Sequence, residues 1–153
     1  LEVSDEWEAL GRRAADHEVL VLVDEESAEM LRDPSLLYGL DLVRLFREMG
    51  FAVRICWMGN GVAPFEQRPE VAVDRLGDPS EVSAYLASVP SSLVFTEYHN
   101  DMRVLKASRF PIGPRDFEMG IDGALRTLRR LVLKAEARFF KVLGRPLPTE
   151  PPK

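Results

Sequence analysis

The sequence contains very little cysteine and histidine, and this limits the sites that it can build. Cys56 is the only cysteine, so no disulfide can form within the chain. His17 and His99 are the only histidines, so a zinc site that needs several imidazoles is not available. Because a single free thiol in an apolar run fits a reducing compartment, we expect a cytoplasmic protein.

Long apolar runs and targeting features are also missing. No apolar segment approaches the roughly 18–20 residues that a membrane-spanning helix needs. The first ten residues, LEVSDEWEAL, are acidic and do not have the basic start and apolar core of a signal peptide. No repeat and no linker rich in glycine or serine divides the 153 residues, of which 46% are apolar and 29% charged. This composition predicts a single domain with a buried core, in residues 1–143.

Charge is unevenly distributed along the chain. The formal net charge is −5, but residues 1–48 hold 13 acids and 5 bases, whereas residues 103–153 hold 5 acids and 12 bases. Such an asymmetry predicts that one end of the protein faces a partner or a polyanion.

The order of apolar runs predicts an α/β fold with an open, mainly parallel sheet and helices on both faces. A helix is expected in residues 1–17. Further helices are expected after Asp33-Pro34 and Asp78-Pro79, where aspartate is the N-cap and proline the first helical residue. Strands are expected at Glu18–Val23, Phe51–Trp57, Val71–Val73 and Leu93–Phe95, with a fifth in Met102–Leu105.

A long C-terminal helix is predicted over residues 117–143, followed by a mobile proline-rich tail in residues 144–153. Its apolar residues repeat every 3.5 positions, from Ile121 through Leu125, Leu128, Val132, Ala135 and Phe139 to Val142. This seam suits either a partner helix or the protein's own sheet. The basic residues beside the seam are candidates to contact a protein partner or DNA phosphate: Arg126, Arg130, Lys134 and Arg138. Phe139 and Phe140 are adjacent and cannot both face one surface, so both are candidates and one is expected to face a partner.

Acidic residues cluster where predicted strands end. Asp24 follows the first strand, with Glu25, Glu26 and Glu29 close behind, Asp74 follows the third, and Glu97 and His99 follow the fourth. The carboxyl ends of parallel strands share one edge of the sheet, where ligands bind, and carboxylates suit Mg²⁺ or Mn²⁺. The alternative is a structural role, since acids near a helix N-terminus stabilise the helix.

In these segments the chain resembles the DHH family of phosphoesterases, whose best-known members are RecJ-type nucleases. In that family a strand ends in V-T-D-H-H, and here Val94-Phe95-Thr96-Glu97-Tyr98-His99 stands in that place, with Glu for Asp and Tyr for the first His. Val71-Ala72-Val73-Asp74 with nearby Gly77 is similar to the preceding motif, a strand that ends in Asp and then Gly. Val19–Asp24 followed by Asp33 resembles the first motif. The resemblance covers residues 18–101.

No motif is intact, and the departures decide which function the resemblance implies. The remnants of the metal site would be Asp33, Asp74, Glu97 and His99, and a tyrosine that stays protonated cannot replace an imidazole ligand. The chain is therefore most similar to the short archaeal form of the inactive RecJ-like branch, which joins the MCM motor and GINS in the replicative helicase. This implies a nucleoid-associated scaffold without a cofactor that binds GINS, with MCM and DNA as further contacts.

Two other functions remain open at this point. The chain could be an active, small phosphoesterase that uses Mn²⁺ or Mg²⁺ bound by Asp24, Asp33, Asp74 and His99. It could also be an unrelated doubly wound domain that binds a nucleotide or another partner.

Overall fold

The computed structural model describes residues 2–33, 41–65, 68–98 and 100–137. These residues form a five-stranded, all-parallel sheet in the order β3-β2-β1-β4-β5, which confirms the predicted fold class. The strands are β1 Glu18–Val23, β2 Ala52–Trp57, β3 Ala72–Arg75, β4 Leu93–Phe95 and β5 Phe110–Ile112. The helices are α1 Glu2–Ala14, α2 Ala28–Arg32, α3 Leu42–Glu48, α4 Val82–Ser88, α5 Met102–Lys106 and α6 Ile121–Glu136.

Strand β1 is buried on both of its faces. Val19, Val21 and Val23 pack into the core under α1, α3 and α6, whereas Leu20 and Leu22 pack into a second core under α4 and α5. Successive side chains of a strand point to opposite faces, so a continuous apolar run fits a central strand that helices cover on both sides. The short apolar runs β2 and β4 pair with β1 on its two sides.

The apolar seam of α6 packs on the protein's own sheet. Leu125, Leu128, Val132 and Ala135 are buried in the core under α1, α3 and α6, whereas Ile121, at the start of the helix, is 79% exposed. Of the two interpretations of the seam, the intramolecular one is confirmed. Phe139 and Val142, at the end of the seam, lie outside the described residues.

Helix α6 is shorter than the predicted span of 117–143. It begins after Gly120, whose positive φ of 83° separates it from the preceding segment, and the extended backbone of Ala137 ends it. The predicted tail at 144–153 also lies outside the described part of the chain. None of the described helices is long and apolar enough to cross a bilayer.

The prediction of a fifth strand in Met102–Leu105 is wrong, because these residues belong to α5. Asp101 caps this helix by accepting a hydrogen bond from the Arg103 backbone N–H at 3.0 Å. The fifth strand is β5, which pairs with β4 through Leu93–Phe110 and Phe95–Ile112. Its central residue is Pro111, and proline is tolerated in a sheet at an edge strand such as this one.

The first turns of the helix predicted after Asp33-Pro34 fall on residues 34–40, outside the described ranges. Asp33 itself is the extended C-cap of α2, a short helix that the sequence did not predict. Helix α3 begins after Asp41, whose side chain accepts a hydrogen bond from the Arg44 backbone N–H at 3.0 Å.

Candidate functional site

The sheet topology brings the ends of β1 and β4 together. The chain leaves β1 towards β2 and leaves β4 towards β5, so the strand order reverses between these two neighbours. In open α/β sheets the crevice at the carboxyl ends of such strands is the usual ligand site. Asp24 follows β1 at this edge, and Thr96 and Glu97 follow β4. We therefore take this carboxyl edge as the candidate functional site.

Asp24 takes part in a local capping arrangement with Ser27. Its Oδ1 accepts hydrogen bonds from the Ser27 backbone N–H at 2.8 Å and from the Ser27 hydroxyl at 2.7 Å. The Asp24 backbone N–H donates in turn to the same hydroxyl at 2.8 Å. These bonds hold the turn between β1 and α2 and occupy one of the two carboxylate oxygens.

Asp74 lies within β3 rather than after it, and it joins a polar network across the sheet. Its Oδ2 accepts hydrogen bonds from the Tyr85 hydroxyl at 2.7 Å and from Arg54 Nη1 at 3.0 Å. Arg54 Nε also donates to Glu18 at 2.9 Å, and the Ser91 hydroxyl donates to the same Glu18 oxygen at 2.5 Å. We call these five residues the Arg54 network. The Tyr85 hydroxyl, and then Arg54, lower the pKa of Asp74 against the opposing effect of burial.

Cys56 lies next to the Arg54 network on β2. Its side chain is fully buried, and burial raises the pKa of the thiol to about 12. A thiol in this state is protonated at neutral pH, so Cys56 is not a reactive nucleophile.

Asp101 is nearly fully buried behind the edge of β4. Its carboxylate accepts hydrogen bonds from Arg103 at 2.7 and 3.0 Å and from the Thr96 hydroxyl at 3.1 Å. The guanidinium of Arg103 also lies 5.7 Å from the centre of the Tyr98 ring. Hydrogen bonds from Arg103 and Thr96 outweigh burial and lower the pKa of Asp101. This pair fixes the β4–α5 loop.

Sequence reasoning missed the Asp101 pair because it assigned the following residues to a strand. An aspartate ahead of Met-Arg-Val-Leu-Lys, a run of mostly good helix formers, is a usable N-cap signal.

Glu97 is an exposed carboxylate at the carboxyl edge. Burial of part of its side chain raises its pKa, and the charges of Asp24 and Glu26 raise it further. Asp24 and Glu26 therefore lie close enough to repel the ionised Glu97 carboxylate.

We expect Glu97→Gln to raise the melting temperature at neutral pH. The raised pKa means that the folded protein disfavours the charged form, so ionised Glu97 destabilises the fold above its folded-state pKa. The difference between variant and wild type should vanish as the pH falls below the ordinary value of 4.5. Thermal unfolding across this range tests it, with the exposed Glu8→Gln as control. A lower melting temperature for Glu97→Gln at neutral pH would contradict the repulsion.

The described members of the predicted ligand set lie in different surroundings. Asp24 and Glu97 reach the same edge, Asp33 ends α2, and Asp74 lies in the Arg54 network under α4. His99 lies outside the described residues. Within the described ranges, no group of three or more histidine, cysteine, aspartate or glutamate side chains is arranged to hold a metal ion. Because His99, one of the four expected ligands, lies outside the described ranges, the Mn²⁺ or Mg²⁺ site of the alternative hypothesis stays a prediction.

The basic residues of α6 are paired within the protein. Arg126 and Arg130 both contact the Glu118 carboxylate, and Lys134 contacts Asp116 at 2.5 Å. Lys134 also lies 4.8 Å from the centre of the Phe110 ring. Arg138, Phe139 and Phe140, the other predicted contacts, lie beyond the described part of the helix. These ion pairs thus hold the segment between β5 and α6 against helix α6.

No protein-family model matches this chain, and no curated protein matches it. Membership of the DHH family therefore stays a prediction that rests on the sequence motifs alone.

Proposed function

We propose that this chain is a non-catalytic binding domain, a DHH-like scaffold subunit of a DNA replicative helicase complex. Its direct partner in this proposal is GINS, and MCM and DNA are reached through the complex. The proposal combines the sequence resemblance, which suggests the complex, with the geometry of the carboxylates, which favours binding over catalysis.

The observation that carries the proposal is the pairing of Asp74. In an active enzyme of this type the carboxylate would face a metal ion, but here one of its oxygens accepts hydrogen bonds from both Arg54 and Tyr85. A divalent cation at Asp74 would lie beside the guanidinium of Arg54 and would be repelled by it. It would also compete for the carboxylate that balances Arg54. The Arg54 network therefore favours a structural role for Asp74.

The exposed apolar side chains suggest where a partner would bind. Five of them follow the carboxyl ends of strands: Val62, Tyr98, Met102, Met119 and Ile121. Tyr98 is 53% and Met102 59% exposed, and both lie in or beside the β4–α5 loop. Exposed apolar side chains that are surrounded by polar residues are typical of protein interfaces. We infer that GINS contacts the carboxyl edge around Tyr98 and Met102, rather than the internally paired basic face of α6.

Co-purification with GINS at physiological salt tests the proposal. The immobilised chain should retain GINS, and the double variant Tyr98→Ala/Met102→Ala should weaken binding by about tenfold or more, because central apolar contacts dominate interface energies. Leu133→Ala is the matched control, since Leu133 is equally exposed but lies on α6. Arg126→Gln reports separately on the basic face and should change binding little.

Two results would overturn the proposal. The first is a failure of GINS to bind the wild-type chain. The second is a Mn²⁺-dependent phosphoesterase or nuclease activity that Asp74→Ala abolishes, which would mean that Asp74 serves a metal site.

A further inference from the structure

A cavity of about 530 Å³ opens at the carboxyl ends of β4 and β5. Strand β5 supplies one wall with Phe110, Pro111 and Ile112, and Leu105 of α5 adds to it. Cavities of about 300–1,000 Å³ with a mostly apolar lining and a few polar groups are typical of small-molecule sites. The position is also typical, because ligands of parallel sheets bind beyond the carboxyl ends of the strands.

Two opposite charges line this cavity without an ion pair among the described residues. One is Glu97, after β4, and the other is Arg115, in the 3-10 turn Pro114–Asp116 after β5. The remaining charged groups of the lining, Lys134 and Asp116, are bonded to each other at 2.5 Å. A bound molecule therefore meets one available carboxylate and one available guanidinium, beside an apolar wall.

The same contacts argue against a phosphate ligand. The turn after β5 begins with a backbone N–H, that of Gly113, which already donates to the Asp116 carboxylate at 2.9 Å. Asp116 thus occupies the position that an anion would take at this turn. Asp24 and Glu26 add negative charge next to Glu97 and further disfavour a multiply charged anion. A ligand with one positive and one negative group balances the two available charges.

We propose that this cavity binds a small zwitterion of the α-amino acid class with an apolar side chain. The ammonium group would donate hydrogen bonds to the Glu97 carboxylate. The ligand carboxylate would accept a bidentate pair of hydrogen bonds from Arg115, the geometry in which guanidinium and carboxylate bind most strongly. The apolar side chain would pack on Phe110, Leu105 and Ile112. The isolated chain would bind this ligand whether or not GINS is its partner, and Tyr98, the proposed GINS contact, also lines the cavity.

Calorimetric titration of the full chain with L-leucine and with L-phenylalanine tests the proposal. We expect saturable binding of one ligand per chain in the millimolar range or tighter. Glu97→Gln and Arg115→Gln should each weaken it by about tenfold or more, as loss of a charge-assisted hydrogen bond implies. Glu97→Gln should fold at least as stably as the wild type, so lost binding cannot be ascribed to unfolding. Glu8→Gln and Arg75→Gln, which lie outside the cavity, are the matched controls and should bind normally.

Two analogues of leucine assign each end of the ligand. Leucinol, which has no carboxylate, should bind weakly and be insensitive to Arg115→Gln. N-acetyl-leucine, which has no ammonium group, should bind weakly and be insensitive to Glu97→Gln. The proposal is overturned if neither amino acid gives saturable binding, if both variants bind as tightly as the wild type, or if AMP binds more tightly than either amino acid.

Discussion

Phe46→Ala is expected to destabilise the protein by about 3–5 kcal/mol, the loss typical of a large-to-small change at a fully buried phenylalanine. The Phe46 side chain is fully buried on α3. Its ring lies 6.5 Å from that of Phe51, 6.2 Å from that of Phe95 and 5.7 Å from that of Phe117, with all three pairs edge-on. Alanine would remove all three contacts and leave a cavity between α3 and the sheet. Urea denaturation measures the loss.

The effect should extend to the candidate site. Phe95 ends β4 just before Thr96 and Glu97, and Phe117 holds the segment that leads from β5 to α6. Because domains have only about 5–15 kcal/mol of stability, the variant is expected to be only marginally folded. Val62→Ala, at an 83% exposed position, is the control and should cost almost nothing. A loss of less than about 1 kcal/mol for Phe46→Ala would show that α3 does not pack as described.

Arg54→Gln is expected to destabilise the protein by about 2 kcal/mol at neutral pH. Breaking a fully buried ion pair costs about 3–5 kcal/mol, and we reduce this value because water reaches part of the Arg54 network. The Arg54 side chain is 25% exposed, that of Glu18 17% and that of Asp74 37%. Without the guanidinium, Glu18 and Asp74 would lose the cation that balances their charges. Arg44→Gln, which breaks an exposed pair with Glu48, should cost less than about 0.5 kcal/mol.

The cost of Arg54→Gln should depend on pH in a defined direction. The folded protein holds the pKa of Asp74 below its ordinary value of 3.8, so this carboxylate contributes stability above that pH. The contribution is lost as the pH falls through the lowered pKa of the folded state. The difference between Arg54→Gln and the wild type should therefore be constant from neutral pH to about pH 4 and then shrink. A difference that grows towards acidic pH would contradict the pairing.

The sequence predicts the sheet well where strands are continuous apolar runs. In β1 the successive residues Val21 and Leu22 enter different cores. A continuous run of valine and leucine indicates such a strand, covered on both faces. The fifth strand escaped prediction because β5 is three residues long and has a proline at its centre. The strand prediction for Met102–Leu105 was wrong because the polarity pattern of four residues does not distinguish a strand from a helical turn.

The candidate site was less predictable, because its contacts join distant parts of the sequence. Arg54 meets Asp74, 20 positions away, and Glu18, 36 positions away, and only the strand order β3-β2-β1 brings them side by side. The strand-end position of Glu97 followed from the sequence, but the use of Asp74 in an ion pair did not. In the same way, the sequence shows the regular spacing of Arg126 and Arg130, but it does not show that both form ion pairs with Glu118.

Titration of the wild-type chain with Mn²⁺ in a calorimeter tests whether Asp74 is a structural carboxylate of the Arg54 network rather than a metal ligand. We predict no saturable binding at neutral pH, and the same result for Asp74→Asn, because the Arg54 network already occupies Asp74. One saturable Mn²⁺ site per chain that Asp74→Asn abolishes would show that Asp74 is a metal ligand.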